Sequence, residues 1–121
     1  MTSPRPRWTI EEYATPRGER PILKFLLGLE GRNRVEAAAL LLLLRERGSD
    51  LRRPHSGSLG GGLFELRGRD VRVFYVFGPG RRIILLDGML KQRGDIPRNV
   101  LARMRALARA AAGGDQRARE R

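Results

Sequence analysis

Cysteine is absent from this chain, which excludes disulfides, thiol nucleophiles and cysteine-ligated zinc. Histidine occurs once, at His55, so no ordinary zinc site is expected, and no cofactor is called for. Lysine is nearly missing too, with only Lys24 and Lys91 among 25 basic residues. The longest apolar run, Ala37 to Leu44, falls far short of the roughly 20 residues that span a bilayer. The opening MTSPRPRW lacks the apolar core of a secretory leader. These absences lead us to expect a cytoplasmic protein with no membrane segment.

What the sequence has in excess is positive charge. The 25 basic residues stand against 13 acidic ones, a formal net charge of +12. Such a surface attracts polyanions, and nucleic acid is the first of these, because basic side chains neutralise phosphates and release counterions. The plainer reading is a solvated basic surface. A GC-rich genome explains arginine in place of lysine, yet it does not explain the excess of base over acid. With 121 residues, 40% of them hydrophobic, the chain has material for one folded domain.

The pattern predicts the elements in order. Arg7 to Tyr13 reads as a strand that ends before the turn at Pro16-Arg17-Gly18. Pro21 suits the first turn of a helix whose apolar stripe is Ile22, Leu23, Phe25, Leu26 and Leu29, closed by Gly28 and Gly31. A second helix over about 32–47 ends at Gly48. Its run Ala37 to Leu44 leaves no polar face, so it needs cover on more than one side: from the sheet and first helix, or from a partner on a leucine ridge. LRRPHSGSLGGG, residues 51–62, reads as loop. Leu63 to Arg67 and Val71 to Phe77 form a hairpin about Gly68-Arg69-Asp70, and Arg82 to Leu86 follows as the next strand. Pro97 opens a last helix with Val100, Leu101, Met104, Leu107, Ala108 and Ala111 on one stripe. The expected fold class is therefore α+β, in the order β-α-α-β-β-β-α. Its sheet is mainly antiparallel and four-stranded, packed against helices. Residues 1–112 form one domain and 113–121 a disordered basic tail.

Several words fall in this order: Gly62-Leu63-Phe64-Glu65-Leu66-Arg67, Val71-Arg72-Val73-Phe74-Tyr75, and Leu85-Leu86-Asp87-Gly88-Met89-Leu90-Lys91-Gln92-Arg93, with Ile96-Pro97 before the last helix. Together, from Trp8 to about Ala111, they make the chain resemble the HigB-like branch of the RelE/ParE toxins of type II toxin-antitoxin systems. The resemblance implies a RelE-like fold and a toxin that enters the ribosomal A site and cuts mRNA. It also implies inhibition by a helix-turn-helix antitoxin in a toxin-antitoxin heterotetramer. The sequence departs from that pattern in three places, one of them Lys91-Gln92-Arg93 where the family has a double lysine. It has no lysine within His55-Ser56-Gly57-Ser58-Leu59, and it carries Asp87-Gly88-Met89 where the family has His-Gly-Phe.

Cutting RNA without a metal requires the 2′-hydroxyl to be oriented or deprotonated, the phosphate charge to be stabilised and the leaving oxygen to be protonated. Arginine suits the second task and is a poor proton shuttle. Strand alternation puts Leu63, Glu65 and Arg67 on one face, and Arg72 on one face with Phe74 and Val76. Arg67 and Arg72 then flank the hairpin turn as a basic patch on an open sheet face, unless Arg67 is taken up by Glu65 or Asp70. Tyr75 points to the other, apolar face and is a secondary catalytic candidate beside its reading as a buried structural tyrosine. Lys91 is the better general acid or charge stabiliser. His55 alone has an unperturbed pKa suited to proton transfer near neutrality, although it also reads as a mobile surface histidine. Arg67, Arg69, Arg72, Lys91, Arg93 and Arg98 make up the expected RNA-binding set. Two other readings remain open at this point. One is a non-catalytic module that uses the same basic surface to hold nucleic acid or protein. The other is the gyrase-targeting branch of the superfamily.

Overall fold

Two apolar helical segments cover one face of a β-sheet, and a third covers the other. The computed structural model describes residues 7–91 and 94–120, the stretch 114–120 by its backbone alone. In chain order the elements are β1 (Thr9–Glu12), α1 (Pro21–Leu27), α2 (Gly31–Arg47), β2 (Ser56–Gly60), β3 (Leu63–Arg67), β4 (Val71–Gly78), β5 (Arg82–Leu90) and α3 (Arg98–Glu120). A single turn of 3-10 helix, Gly48–Asp50, follows α2.

The sheet has five strands in the order β1-β5-β4-β3-β2, which corrects the expected four. The extra strand, β2, lies in the segment read as loop. It pairs antiparallel with β3, Ser56 opposite Leu66 and Gly57 opposite Glu65. SGSLG has no apolar alternation because an edge strand needs only its backbone to join the ladder. The sheet is also mixed, since β1 runs parallel to β5 with Ile10 opposite Ile83. Glu11 fastens that edge, accepting from Arg82 Nε at 3.0 Å and Nη2 at 2.5 Å.

Residues of β3, β4 and β5 alternate between two cores, as the pleat requires. Leu66, Val71, Val73, Tyr75, Ile83 and Leu85 face α1 and α2, where Ile22, Ala37, Leu40 and Leu44 complete the packing. Leu63, Phe74, Ile84 and Leu86 face α3 and its Met104 and Ala111. The face carrying Arg67 and Arg72 is therefore not open, as the sequence suggested, because α3 packs against it. The physical reason is that strands apolar on both sides need both sides covered. A register shift between Phe74 and Tyr75 pairs Phe74 with Asp87 but Tyr75 with Leu85, leaving Leu86 as the extra residue. Asp87 thereby meets α3, where Arg103 Nη2 lies 2.5 Å from its Oδ2. The backbone of α3 continues as helix through Gly113 and Gly114, where the basic tail was expected to begin.

Gly48 caps α2 in the left-handed region, at φ +49°. A Cβ there would overlap the Trp8 indole, which itself packs against Phe77 with ring centroids 5.3 Å apart and lies under Arg81, whose guanidinium carbon is 4.6 Å from the ring. We predict that Gly48→Ala lowers stability by about 2 kcal/mol or more, through overpacking added to backbone strain. Gly31→Ala, at φ +55° with open space around it, should cost only about 1 kcal/mol. Urea unfolding of the two variants checks the difference.

Candidate nucleic-acid interface

The β3–β4 turn gathers most of the basic residues that sequence singles out. Arg67 and Arg72 stand directly opposite each other across the hairpin, and Arg69 is exposed at its tip. Lys91, one residue past β5, donates its backbone N–H to Asp70 O at 2.6 Å, so it is anchored beside the same turn. His55 precedes β2, and its carbonyl accepts the Arg67 N–H at 2.8 Å. His55, Arg67 and Arg69 share the lining of a groove of about 430 Å³ between α2 and the turn.

The turn is held by α2. Glu36 Oε1 accepts the backbone N–H groups of Asp70 at 3.3 Å and Val71 at 3.2 Å. One turn earlier on the helix, Arg32 Nη2 reaches Asp70 Oδ2 at 3.3 Å. The helix and turn approach so closely that a Cβ at Gly68 would overlap the Glu36 carboxylate and crowd Leu40. Glycine is therefore required here for space. Partial burial works to raise the pKa of Glu36. The N–H donors of Arg69, Val71 and Asp70, helped by the Arg72 charge, outweigh it and hold the carboxyl below the usual 4.5.

The two principal arginines differ in what they have left to offer. Arg72 is buried, 9% exposed, and its Nη1 donates to Gly68 O at 2.5 Å and Val71 O at 3.0 Å. It braces the turn and places a positive charge beneath it, with no carboxylate pairing among the described residues. The Arg67 side chain is 38% exposed, and its Nε lies 3.4 Å from Glu65 Oε1. That is one of the ordinary hairpin pairings considered from sequence; Asp70 pairs with Arg32 instead. Long N···O separation and partial exposure make the contact weak, so Arg67 keeps donors for an incoming phosphate.

The remaining candidates are not all brought to this place. Tyr75 lies on the opposite face, 1% exposed, with its hydroxyl 2.6 Å from Ser56 Oγ. Burial pushes that hydroxyl above the ordinary tyrosine range, and the hydrogen bond shared with Ser56 offsets this only in part. A neutral, enclosed tyrosine is what results. Arg98 is exposed at the start of α3, and no described contact ties it to the turn. Arg93 lies outside the described residues. Two carboxylates belong beside this turn, one missed from sequence and the other read there only as an ordinary partner of Arg67. Glu36 is one, and its only sequence signal is an acid set beside an otherwise apolar helical run. The other is Glu65, 8% exposed, with Oε2 enclosed and without a hydrogen-bond partner among the described residues. Strand alternation had placed it beside Arg67. Among the described residues no cluster of three or more His, Asp or Glu could hold a metal ion, and no helix is long and apolar enough to cross a membrane.

The family described as phage derived protein Gp49-like (DUF891) matches residues 24–109. That range runs from within α1 to the middle of α3 and includes every basic residue at the β3–β4 turn. No curated protein matches the chain.

The depressed Glu36 carboxyl has a consequence for pH. Its folded pKa lies below 4.5, so the stability it contributes is present above that value and is lost as pH falls through the folded pKa. Urea unfolding from about pH 7 to about pH 3 should show this acid-side loss. Glu36→Gln should remove that part of the pH dependence and cost about 1 kcal/mol at neutral pH.

Proposed function

On the premise that the chain belongs to the Gp49-like family of phage-derived proteins, a RelE-like family of type II toxins, we propose that it is a toxin that cuts mRNA on the ribosome. The observation that carries the proposal is the crowding of Arg67, Arg69, Arg72 and Lys91 around one clamped turn, with His55 beside it. In this reading residues 1–112 make a RelE-like domain of the HigB-like branch, acting in the cytoplasm. A helix-turn-helix antitoxin restrains it in a heterotetramer.

The chemistry follows from what each side chain can do. The ribose 2′-hydroxyl attacks the adjacent phosphorus, its proton passes to a base, and the 5′ oxygen leaves with a proton, giving a 2′,3′-cyclic phosphate. Arg67 binds the phosphate oxygens as charge builds on them, with Arg72 adding positive potential from beneath. Lys91 stabilises the same charge or protonates the leaving oxygen, and His55 is placed to exchange a proton near neutral pH. Arg69, Arg93 and Arg98 hold the RNA backbone without reading sequence. Tyr75 keeps a supporting part, fixing β4 through Ser56. One observation favours a second reading, a module that binds without cutting: the Arg72 guanidinium is already occupied by the turn carbonyls.

Primer extension on cellular mRNA separates the two. Induction of the wild-type chain should arrest translation and create new 5′ ends within translated messages. Arg67→Ala combined with Arg72→Ala should reduce those ends by about two orders of magnitude. Arrest with messages intact would assign the binding module, and undiminished cutting by the double variant would discard the site. DNA damage with intact mRNA would point instead to a gyrase-directed action.

A further inference from the structure

At the end of the sheet away from the basic turn, α3 and the β2–β3 and β4–β5 turns border a cleft of about 650 Å³. Leu63 opens β3 and Arg67 closes it, so about 13 Å of strand separates the cleft from the candidate RNA site. Its floor is aliphatic, with Leu63, Val76 and Ile84 from the strands and Ala108 from α3. The wall at Gly61 and Gly62 carries no side chains, because both sit at positive φ, +64° and +84°, where a tight hairpin turn favours glycine. Phe77, the one aromatic residue of the lining, has its ring packed with Trp8, Phe64 and Tyr75 on the other face of the sheet. Two arginines of α3 complete the lining, and no acidic residue belongs to it. Arg105 donates to Leu59 O at 2.7 Å and Gly60 O at 3.1 Å, which anchors it and leaves its charge without a carboxylate among the described residues. Arg109, one helical turn on, is exposed and has no hydrogen bond or ion pair among the described residues. An aliphatic floor thus meets positive charge that nothing described offsets.

We propose that this cleft is a binding site for an acyl carboxylate of medium chain length, its tail on the aliphatic floor and its carboxylate at Arg105 and Arg109. The volume lies within the range of roughly 300–1,000 Å³ that small-molecule sites occupy. Each methylene buried on the floor tightens binding about fourfold, and a guanidinium fork offers a carboxylate two donors at once. A nucleotide is the poorer occupant, since its base finds no aromatic face to stack on. A bare inorganic anion is poorer too, because it leaves the floor unused. The inference goes beyond the proposed function and does not depend on it. Ligand and RNA would sit at opposite ends of β3, so one does not exclude the other.

Isothermal titration of the full chain with decanoate, octanoate, octanol and acetate tests the proposal. Decanoate should bind at one site per chain with a Kd below about 100 µM. Octanoate should bind about tenfold more weakly for its two missing methylenes, octanol about tenfold more weakly than octanoate for want of charge, and acetate more weakly than either carboxylate. Arg109→Gln should weaken decanoate about tenfold. Ala108→Phe, which fills the floor, should abolish decanoate binding, and both variants should still bind a single-stranded RNA oligonucleotide. If Ala108→Phe lowers the melting temperature, Ala112→Phe, at an exposed position of the same lining, carries the same test. No decanoate binding, equal affinity for decanoate and acetate, or indifference to these substitutions overturns the proposal. So does displacement of decanoate by the oligonucleotide, which would give the cleft to nucleic acid. Binding of phosphatidylglycerol vesicles without binding of decanoate overturns it as well, by giving the cleft to a membrane surface. None of these readouts involves message cleavage, so the cleft and the toxin reading can each fail alone.

Discussion

A single carboxylate on α2 fixes the turn on which the proposed function rests. Glu36 accepts two backbone N–H groups from the β3–β4 turn, and Arg32 reaches Asp70 in the same turn. These contacts join a helix to a hairpin more than thirty residues away in sequence. Without them four basic residues would repel one another at the end of a loose hairpin. With them the turn N–H groups of Asp70 and Val71 are engaged, and Arg72 can brace Gly68 and Val71 from the α3 side. Negative charge inside the clamp also offsets the arginines it holds together, lowering the cost of their proximity.

The division of the sheet into two cores decides which side chains can act. Tyr75 and Arg72 lie three residues apart on β4, yet they face α2 and α3 respectively. Tyr75 is absorbed into packing with Phe64 and Phe77, and its hydroxyl is spent on Ser56. Arg72 would be a costly buried cation if it were not satisfied by two carbonyls. Glu65, enclosed beside Arg67, adds a negative charge under the exposed guanidinium. The chemical surface is therefore narrow. On the proposed function it consists of the outer edge of one turn, the start of the segment after β5, and the groove leading to His55.

Much of this was legible in the sequence. Pro21 and Gly48 marked the start of α1 and the end of α2 because a fixed φ and a left-handed cap are demands that few residues meet. The period-two pattern in β3 and β4 correctly set Arg67 and Arg72 together and Tyr75 apart. The strand β2 was illegible because SGSLG joins the sheet through backbone pairing, which leaves no trace in side-chain hydropathy. The parallel pairing of β1 was hidden for a related reason: direction depends on where the chain returns, not on its composition. The coverage of the Arg72 face by α3 and the Glu36 clamp are long-range events that local pattern does not encode. The family match supplies what geometry does not, a toxin-like family for a chain whose basic turn has no specific signature of its own.

Whether the Glu36 clamp holds the arginines for cutting is read out in a reconstituted translation reaction. Purified wild-type chain and its Glu36→Ala variant, which lacks the acceptor oxygen of the clamp, would be added at equal concentration, at a temperature where near-ultraviolet circular dichroism shows both folded, and the rate of message cleavage followed. The wild type should cut translated message and the variant, though folded, should cut at least about tenfold more slowly, because its arginines are no longer held in place. Equal rates for the two chains would contradict this, as would a wild-type chain that leaves the message whole.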